Sequence, residues 1–374
     1  MKITSLDVTP LKNRGLLLQV HTDEGLVGLG SPMNYEHGRT VERALLDMAE
    51  YLVGRDPRQI EDHWQVLFRS SYSRQMPILL SALSGLEMAC LDILGKSLDA
   101  PVWRLLGGTV RDRIRVYAGI GGPEPGRYAD NACAAVARGF GAVKMTPFPD
   151  PVRFVDTPAT TRRIVERVEA VRQAVGPEID IAIDFHRAVS PAMAKILLHE
   201  LEAVQPLFVE EPTHPENVDA LLDISRSTHI PIATGERNTT RWGFREICEK
   251  KAAAILQPDI RHCGGILEMK KIAALAEIHY MAMAPHSAAD AVGVVASLHA
   301  MAGTPNFLIQ EYGGGAGDGL FTEPLIFEDG FVRIPQGPGL GIEIDPEGLA
   351  AHRQTEWRQR TMRRHPEDNS VNDI

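Results

Sequence analysis

This 374-residue chain is short of cysteine, aromatic residues, positive charge and long apolar runs, and each shortage excludes something. Its four cysteines, Cys90, Cys133, Cys248 and Cys263, are far apart and form no Cys-x-x-Cys. That pattern excludes a disulfide framework and a cysteine zinc site, and fits reduced thiols in the cytoplasm. Thirty-nine basic residues against 49 acidic ones leave a net charge of −10, a poor match for nucleic acid or an anionic membrane surface. No apolar stretch reaches about 18 residues, and Met1 to Thr9 alternates like a strand, so neither a transmembrane helix nor a signal peptide is expected. Aromatic residues are 6 %, and Trp64, Trp103, Trp242 and Trp357 fall outside the strand ends identified below. That leaves no stacking platform of the kind a sugar polymer wants. What is present is ordinary: 44 % hydrophobic and 24 % charged residues supply a real core, and the length suits one large barrel or two domains.

The first third reads as α+β. Lys2–Pro10 and Gly15–His21 alternate with period two, Thr22-Asp-Glu-Gly25 is a turn, and Leu26–Gly30 returns as a third strand. Gly25, Gly28 and Gly30 lie inside this hairpin with no βαβ unit around them, so they are not a dinucleotide loop. Helical patterns follow from Thr40, over Ile78–Gly95, and over Leu98–Gly108. After Arg115, strand-like runs alternate with helical ones: Arg115–Gly119, Ala142–Met145, Ile179–Asp184, Leu207–Glu210, Ile230–Ala233, Ala253–Gln257, Tyr280–Ala284 and Phe307–Gln310. Eight nearly continuous apolar runs predict a parallel barrel. Beyond residue 330 the chain reads as irregular and is expected to fold back onto the N-terminal part, its arginines at 358, 360, 363 and 364 forming a solvated or interface face.

The later runs end in polar residues: Asp184, Glu210, Glu236, Asp259, His286 and Glu311, about one βα unit apart. In a parallel barrel these ends converge on one face, where active sites are built. Any single acid there could be a helix cap. Three in phase, Asp184, Glu210 and Glu236, repel one another in a partly dry cavity and call for compensation. An all-oxygen set suits Mg²⁺, or Mn²⁺, better than zinc. His186 follows Asp184 by two residues and, on an extended chain, shares its direction. His286 lies one strand beyond Asp259, whose carboxylate could orient its ring. A base, a metal and an opposing acid are the kit for removing a proton α to a carboxylate and expelling a β hydroxyl.

Lys144 in Val-Lys-Met, Asp184-Phe-His186-Arg, Val209-Glu-Glu-Pro212, Thr234-Gly-Glu-Arg237, Gln257-Pro-Asp-Ile260 with Gly264-Gly-Ile, Ala284-Pro-His-Ser287 and Gln310-Glu311 together resemble the mandelate racemase branch of the enolase superfamily. The nearest likeness within it is to the D-galactonate dehydratase group. It spans nearly the whole chain, including Ala100-Pro-Val-Trp-Arg-Leu-Leu-Gly-Gly108 and His365-Pro-Glu-Asp-Asn-Ser-Val371. The resemblance implies a modified (β/α)₇β barrel over residues 115–330, beneath an α+β capping domain over residues 1–114 that is completed by a C-terminal segment, residues 331–374. It implies Asp184, Glu210 and Glu236 as Mg²⁺ ligands, and His286 with Asp259 as the base acting at C2. It also implies Glu311 as stabiliser of the enediolate, His186 as acid for the departing C3 hydroxyl, and Lys144 as a substrate-binding residue. The implied enzyme is a carbon-oxygen lyase making a 2-keto-3-deoxy sugar acid, and homo-oligomers are common in this family. Thr146 stands where racemases carry a second lysine, which disfavours racemisation.

Departures fall around the substrate. Ser287-Ala-Ala-Asp-Ala291 replaces the usual Cys-Pro-Leu-Gly-Pro, and Ser31-Pro-Met-Asn-Tyr-Glu36 replaces a Gly-Glu-Pro start. Arg69–Gln75, with Tyr72 and Arg74, is expected to form a second cover, and a Gly-rich run to Gly319 follows Tyr312. The alternatives are another acid-sugar dehydratase or epimerase, a metal-independent barrel glycosidase, or a binding protein that has lost catalysis.

Overall fold

The computed structural model describes residues 1–374 except 13–14, 34–36, 75, 149–150, 288–290, 314, 316, 355–362 and 373–374. The expectations for Asn34 to Glu36, Gln75, Ala288 to Asp290, parts of the Gly-rich run, Trp357, Arg358 and Arg360 therefore lie outside the described residues.

The N-terminal sheet is antiparallel: β1 (Ile3–Pro10) pairs with β2 (Leu16–Thr22), which pairs with β3 (Val27–Gly30). Helices α1 (Gly38–Leu52), α2 (Ile60–Ser70) and α3 (Pro77–Ser97) cover it, with short α4 (Val102–Leu105) beyond. Gly28 and Gly30 let β3 lie directly on α3. A Cβ on either would come within 2.1 Å of the Ala89 or 2.0 Å of the Gly85 carbonyl oxygen. Three readings change here. Helix α2 was not anticipated. The expected Leu98–Gly108 helix shrinks to α4, because Asp99 takes a left-handed φ of 49° and Ala100 packs back on Gly95. And α3, with mean hydropathy 1.7, is by length and composition apolar enough to cross a membrane, contrary to the expectation that no such segment exists. Its buried faces explain the composition: it is the central helix of this layer, with Glu87 and Asp92 buried on it and both hydrogen-bonded.

The barrel strands are β4 (Arg113–Ile120), β5 (Ala142–Met145), β6 (Asp180–Asp184), β7 (Phe208–Glu210), β8 (Ile232–Thr234), β9 (Ile255–Leu256), β10 (Ala282–Met283) and β11 (Gln310–Tyr312). Between them run α5 (Pro125–Ala137), α6 (Pro158–Val175), α7 (Pro191–Leu201), α8 (Val218–Ser225), α9 (Thr240–Lys250), α10 (Ile266–Ile278) and α11 (Ala291–Ala302). Pairing is parallel throughout; β11 closes on β4, and a bridge from Met283 to Phe307 joins β10 to the chain leading into β11. Each expected run overlaps a barrel strand, but only β5 starts where expected: β4 starts two residues earlier, β6 to β10 start one or two residues later, and β11 is shifted by three, to Gln310.

Inside the barrel, Tyr117, Ala142, Ala182, Phe208, Ala233, Ile255, Ala284 and Ile309 form one buried layer, large and small residues interleaved. Strand side chains alternate, so residues two positions further on point into the same interior, one tier higher. Those residues are Gly119, Lys144, Asp184, Glu210, Gly235, Gln257, His286 and Glu311. The period-two rule thus builds the polar tier directly on the apolar one.

Past the barrel the chain is more regular than its sequence suggests. Strands β12 (Phe327–Glu328) and β13 (Phe331–Arg333) form a hairpin around Asp329-Gly330, and β13 pairs antiparallel with β4. Helix α12 (Pro346–His352) is capped by Asp345, and the next residues meet the N-terminal sheet, Leu11 bridging Arg353. Asp92 on α3 accepts from the Leu340 N–H at 2.7 Å.

Candidate active site

Asp184 and Glu210 end adjacent strands in register, both buried. Lys144 on β5 donates to both Glu210 oxygens, at 2.9 and 3.0 Å, and stands 3.2 Å from Glu311. Gln257 donates to Glu210 Oε2 at 2.7 Å. The ammonium also lies 5.4 Å from the centre of the Tyr117 ring in the tier below. Glu236 is not on a strand. Gly235 turns the chain with a φ of 133°, which carries Glu236 out of the strand register. It pairs there with Arg187 and with His286 Nε2, the latter at 3.2 Å.

His286 is the meeting point of three carboxylates. Its Nδ1 is 2.8 Å from Asp259 Oδ2, across a parallel bridge between the two residues. Its Nε2 faces Glu236 and, at 3.7 Å, Glu311. Glu311 accepts from the Ser287 N–H at 2.8 Å. An ionised Asp259 accepts only, so Nδ1 carries a proton, and Nε2 is the nitrogen turned toward Glu236 and Glu311.

The expectation that His186 continues Asp184's direction on an extended chain does not hold. Strand β6 stops at Asp184, and His186 and Arg187 take left-handed φ values of 47° and 59°. Asp184 Oδ1 accepts from the His186 N–H at 2.7 Å and stabilises that turn. The turn still leaves the ring within electrostatic reach of Glu236 and Glu210; burial and Arg187 favour its neutral form.

Charge in the site is unevenly compensated. Burial pushes Asp184 up to about 6 and Glu210 up to about 7, neighbouring carboxylates adding to it and Lys144 opposing. Burial acts upward on Glu236 as well, but His286 and Arg187 outweigh it and bring this carboxyl down to about 2. Burial is likewise outweighed at Asp259, where Arg261 and His286 hold the carboxyl far below the usual range, and at Glu311, where Lys144 and His286 hold it down.

The donor set suits a hard divalent cation. It is all oxygen, and Asp184 and Glu210 together carry more negative charge than Lys144 offsets. Among the described residues no three His, Cys, Asp or Glu groups already converge as a metal site. The reason lies in the pairing just given: Glu210 turns to Lys144 and Gln257, Glu236 to Arg187 and His286. The sequence reading weighed carboxylate repulsion against an added cation alone and left out these internal partners.

Three further residues were missed. Arg187 pairs with Glu236 and, at 3.5 Å, with Glu211; buried Glu211 accepts from the Thr234 hydroxyl at 2.7 Å and the Gly235 N–H at 2.8 Å. Arg261 grips Asp259. Each stands one or two positions from a residue already singled out, and that adjacency was the available signal.

Comparisons with known proteins agree along nearly the whole chain. Residues 6–107 match the model of the mandelate racemase / muconate lactonizing enzyme N-terminal domain, and residues 127–348 match the enolase C-terminal domain-like model. A D-galactonate dehydratase of Cronobacter sakazakii is 40 % identical over 369 residues, covering 96 % of each chain. One of Ralstonia pickettii is 39 % identical over 375 residues, covering 97 % of this chain and 98 % of its own. Among solved structures, a mandelate racemase/muconate lactonizing enzyme-like protein from Rubrobacter xylanophilus superposes with a TM-score of 0.90 at 33 % identity, covering 95 % of this chain and 98 % of that one. A member of the enolase superfamily from Salmonella Typhimurium does so at 0.89 and 29 %, covering 94 % and 98 %.

Proposed function

Because the chain belongs to the mandelate racemase / muconate lactonizing enzyme family of enolase-like proteins, we propose that it is a hydro-lyase that dehydrates a sugar acid. The substrate we propose is D-galactonate or a related aldonate, and the product a 2-keto-3-deoxy acid. One observation carries the reading: a buried His286–Asp259 pair turns Nε2 toward Glu236 and Glu311 at the C-terminal end of the barrel strands, in a chain 40 % identical to a D-galactonate dehydratase.

In this mechanism His286 Nε2 takes the C2 proton, and the C–H electron pair moves into the carboxylate to give an enediolate. Asp259 keeps the ring in its Nδ1–H form and stabilises the imidazolium that results. A protonated His186 gives its proton to the C3 hydroxyl, which leaves as water with the C3–O electron pair, and the ring returns to the neutral form its surroundings favour. The enol so formed takes a proton at C3 and becomes the 2-keto acid. Lys144 supplies positive charge beside Glu210 and Glu311. Glu311, ionised in the resting site, takes up a proton from solvent as substrate binds and donates that hydrogen to the enediolate, which it stabilises. Asp184, Glu210 and Glu236 would hold Mg²⁺ or Mn²⁺, which when bound acts as a Lewis acid toward the substrate carboxylate and acidifies C2–H.

A panel of C4–C6 aldonic and uronic acids, incubated with enzyme and Mg²⁺ and scored for 2-keto acid, tests this. D-galactonate or a near stereoisomer should be converted, with loss of turnover in EDTA. No conversion across the panel would sink it.

A further inference from the structure

Two residues beyond Asp259, Arg261 is buried, with its side chain turned back on that carboxylate. The Arg261 backbone N–H and Nε both donate to Asp259 Oδ1 at 2.9 Å. Nη2 donates to Oδ2, the oxygen that also accepts from His286 Nδ1. Asp259 is wholly buried, so these four contacts define where its carboxylate plane lies. A side-on, two-nitrogen grip is the geometry only guanidinium supplies; an ammonium at the same place would contact one oxygen or both from a single point.

The backbone of Arg261 is fixed in turn by the other domain. The Met33 N–H, just after β3, donates to the Arg261 carbonyl at 3.2 Å. Three residues on, the Gly264 N–H donates to Ser84 Oγ of α3, and Trp64 Nε1 of α2 donates to the Gly264 carbonyl, each at 2.9 Å. The segment carrying Arg261 is therefore held at both ends of its path, by the barrel strand before it and by the capping layer above it.

We propose that Arg261 is the positioning residue of the catalytic base: it sets the plane of the Asp259 carboxylate, and through it the tautomer and orientation of His286. The inference rests on the reading of His286 as the base. Arg261 touches no reacting atom in this assignment. It acts through Asp259, and the capping layer acts through Arg261.

The test pairs kinetics with a spectroscopic readout that needs no turnover. Imidazole-¹⁵N NMR at one fixed neutral pH, with Mg²⁺ present, should show for the parent a hydrogen-bonded Nδ1–H histidine signal that disappears in His286→Asn. Arg261→Met should shift or broaden that signal and lower kcat about 100-fold while KM stays within about 3-fold. Arg261→Lys should fall between the two, and added guanidinium should restore at least about tenfold of the loss in Arg261→Ala. A purely structural Arg261 would lower the melting temperature alone, leaving the folded enzyme with the parent's kcat and the parent's signal; that result overturns the inference. If Arg261→Met does not fold, Arg261→Lys decides by the same two readouts. If the parent dehydrates no acid, the functional reading fails by itself. The tautomer signal then judges Arg261: unchanged in the variant, it overturns the positioning role.

Discussion

The Lys144 ammonium on β5 lies 2.9 Å from Glu210 on β7 and 3.2 Å from Glu311 on β11, so a single cation on one strand ties together carboxylates from two others. Burial alone would drive this lysine toward neutrality, but Glu210 and Glu311 keep it charged. Lys144→Met should therefore leave uncompensated buried charge and cost about 3–5 kcal/mol in urea unfolding. Mg²⁺ should recover more of that loss in the variant than it adds to the parent, if the cation and the ammonium share the same carboxylates. Equal Mg²⁺ effects in both proteins would contradict that sharing.

Cation binding itself should be visible as stability. A ligand at 100 times its dissociation constant adds about 2.7 kcal/mol to the folded state. The parent's melting temperature should rise with Mg²⁺ and fall back in EDTA. Asp184→Asn and Glu210→Gln should abolish most of the rise. A full rise in either variant would place the cation elsewhere.

Glu87 should show a pH signature of its own. It sits on α3, wholly buried, and accepts the Ile266 and Leu267 N–H groups at 2.7 and 2.8 Å, capping α10 from the other domain. Burial, opposed by those two bonds, pushes its carboxyl up to about 8. Because the folded value lies above the ordinary 4.5, the folded state binds more protons in between. Stability from this group is then fully present below about pH 4.5 and falls as pH rises through about 8. Glu87→Gln cannot ionise, so the parent's unfolding free energy relative to this variant should shrink from pH 5.5 to 9 in denaturant titrations. Glu87→Ala should cost about 1–3 kcal/mol through the two stranded N–H groups.

Much of this was legible in the sequence because of a simple periodicity. The barrel strands stood out as apolar runs, and their polar ends marked Asp184, Glu210, His286 and Glu311, all two residues above the packed interior tier. The limits are equally physical. Glu236 reaches the site through a glycine turn and His186 through a left-handed one, and period-two counting does not see backbone that leaves the strand. Helix α2 and the Asp329-Gly330 hairpin were overlooked though their signals were present: an apolar stripe through Ile60, Trp64 and Phe68, and an Asp-Gly turn between short alternating runs. Arg187 and Arg261 drew no role from the sequence, and burial shows them turned inward. Their adjacency to His186 and Asp259 was the one signal the sequence carried for them.

The apolar tier beneath the site has one more consequence. Tyr117, Phe208, Ile255 and Ile309, with the alanines between them, are buried side by side beneath the polar tier, so among the described residues the site is floored from below. Whatever enters must leave by the same mouth, and the capping layer stands at that mouth. Traffic is then sequential: a product still inside bars the next substrate.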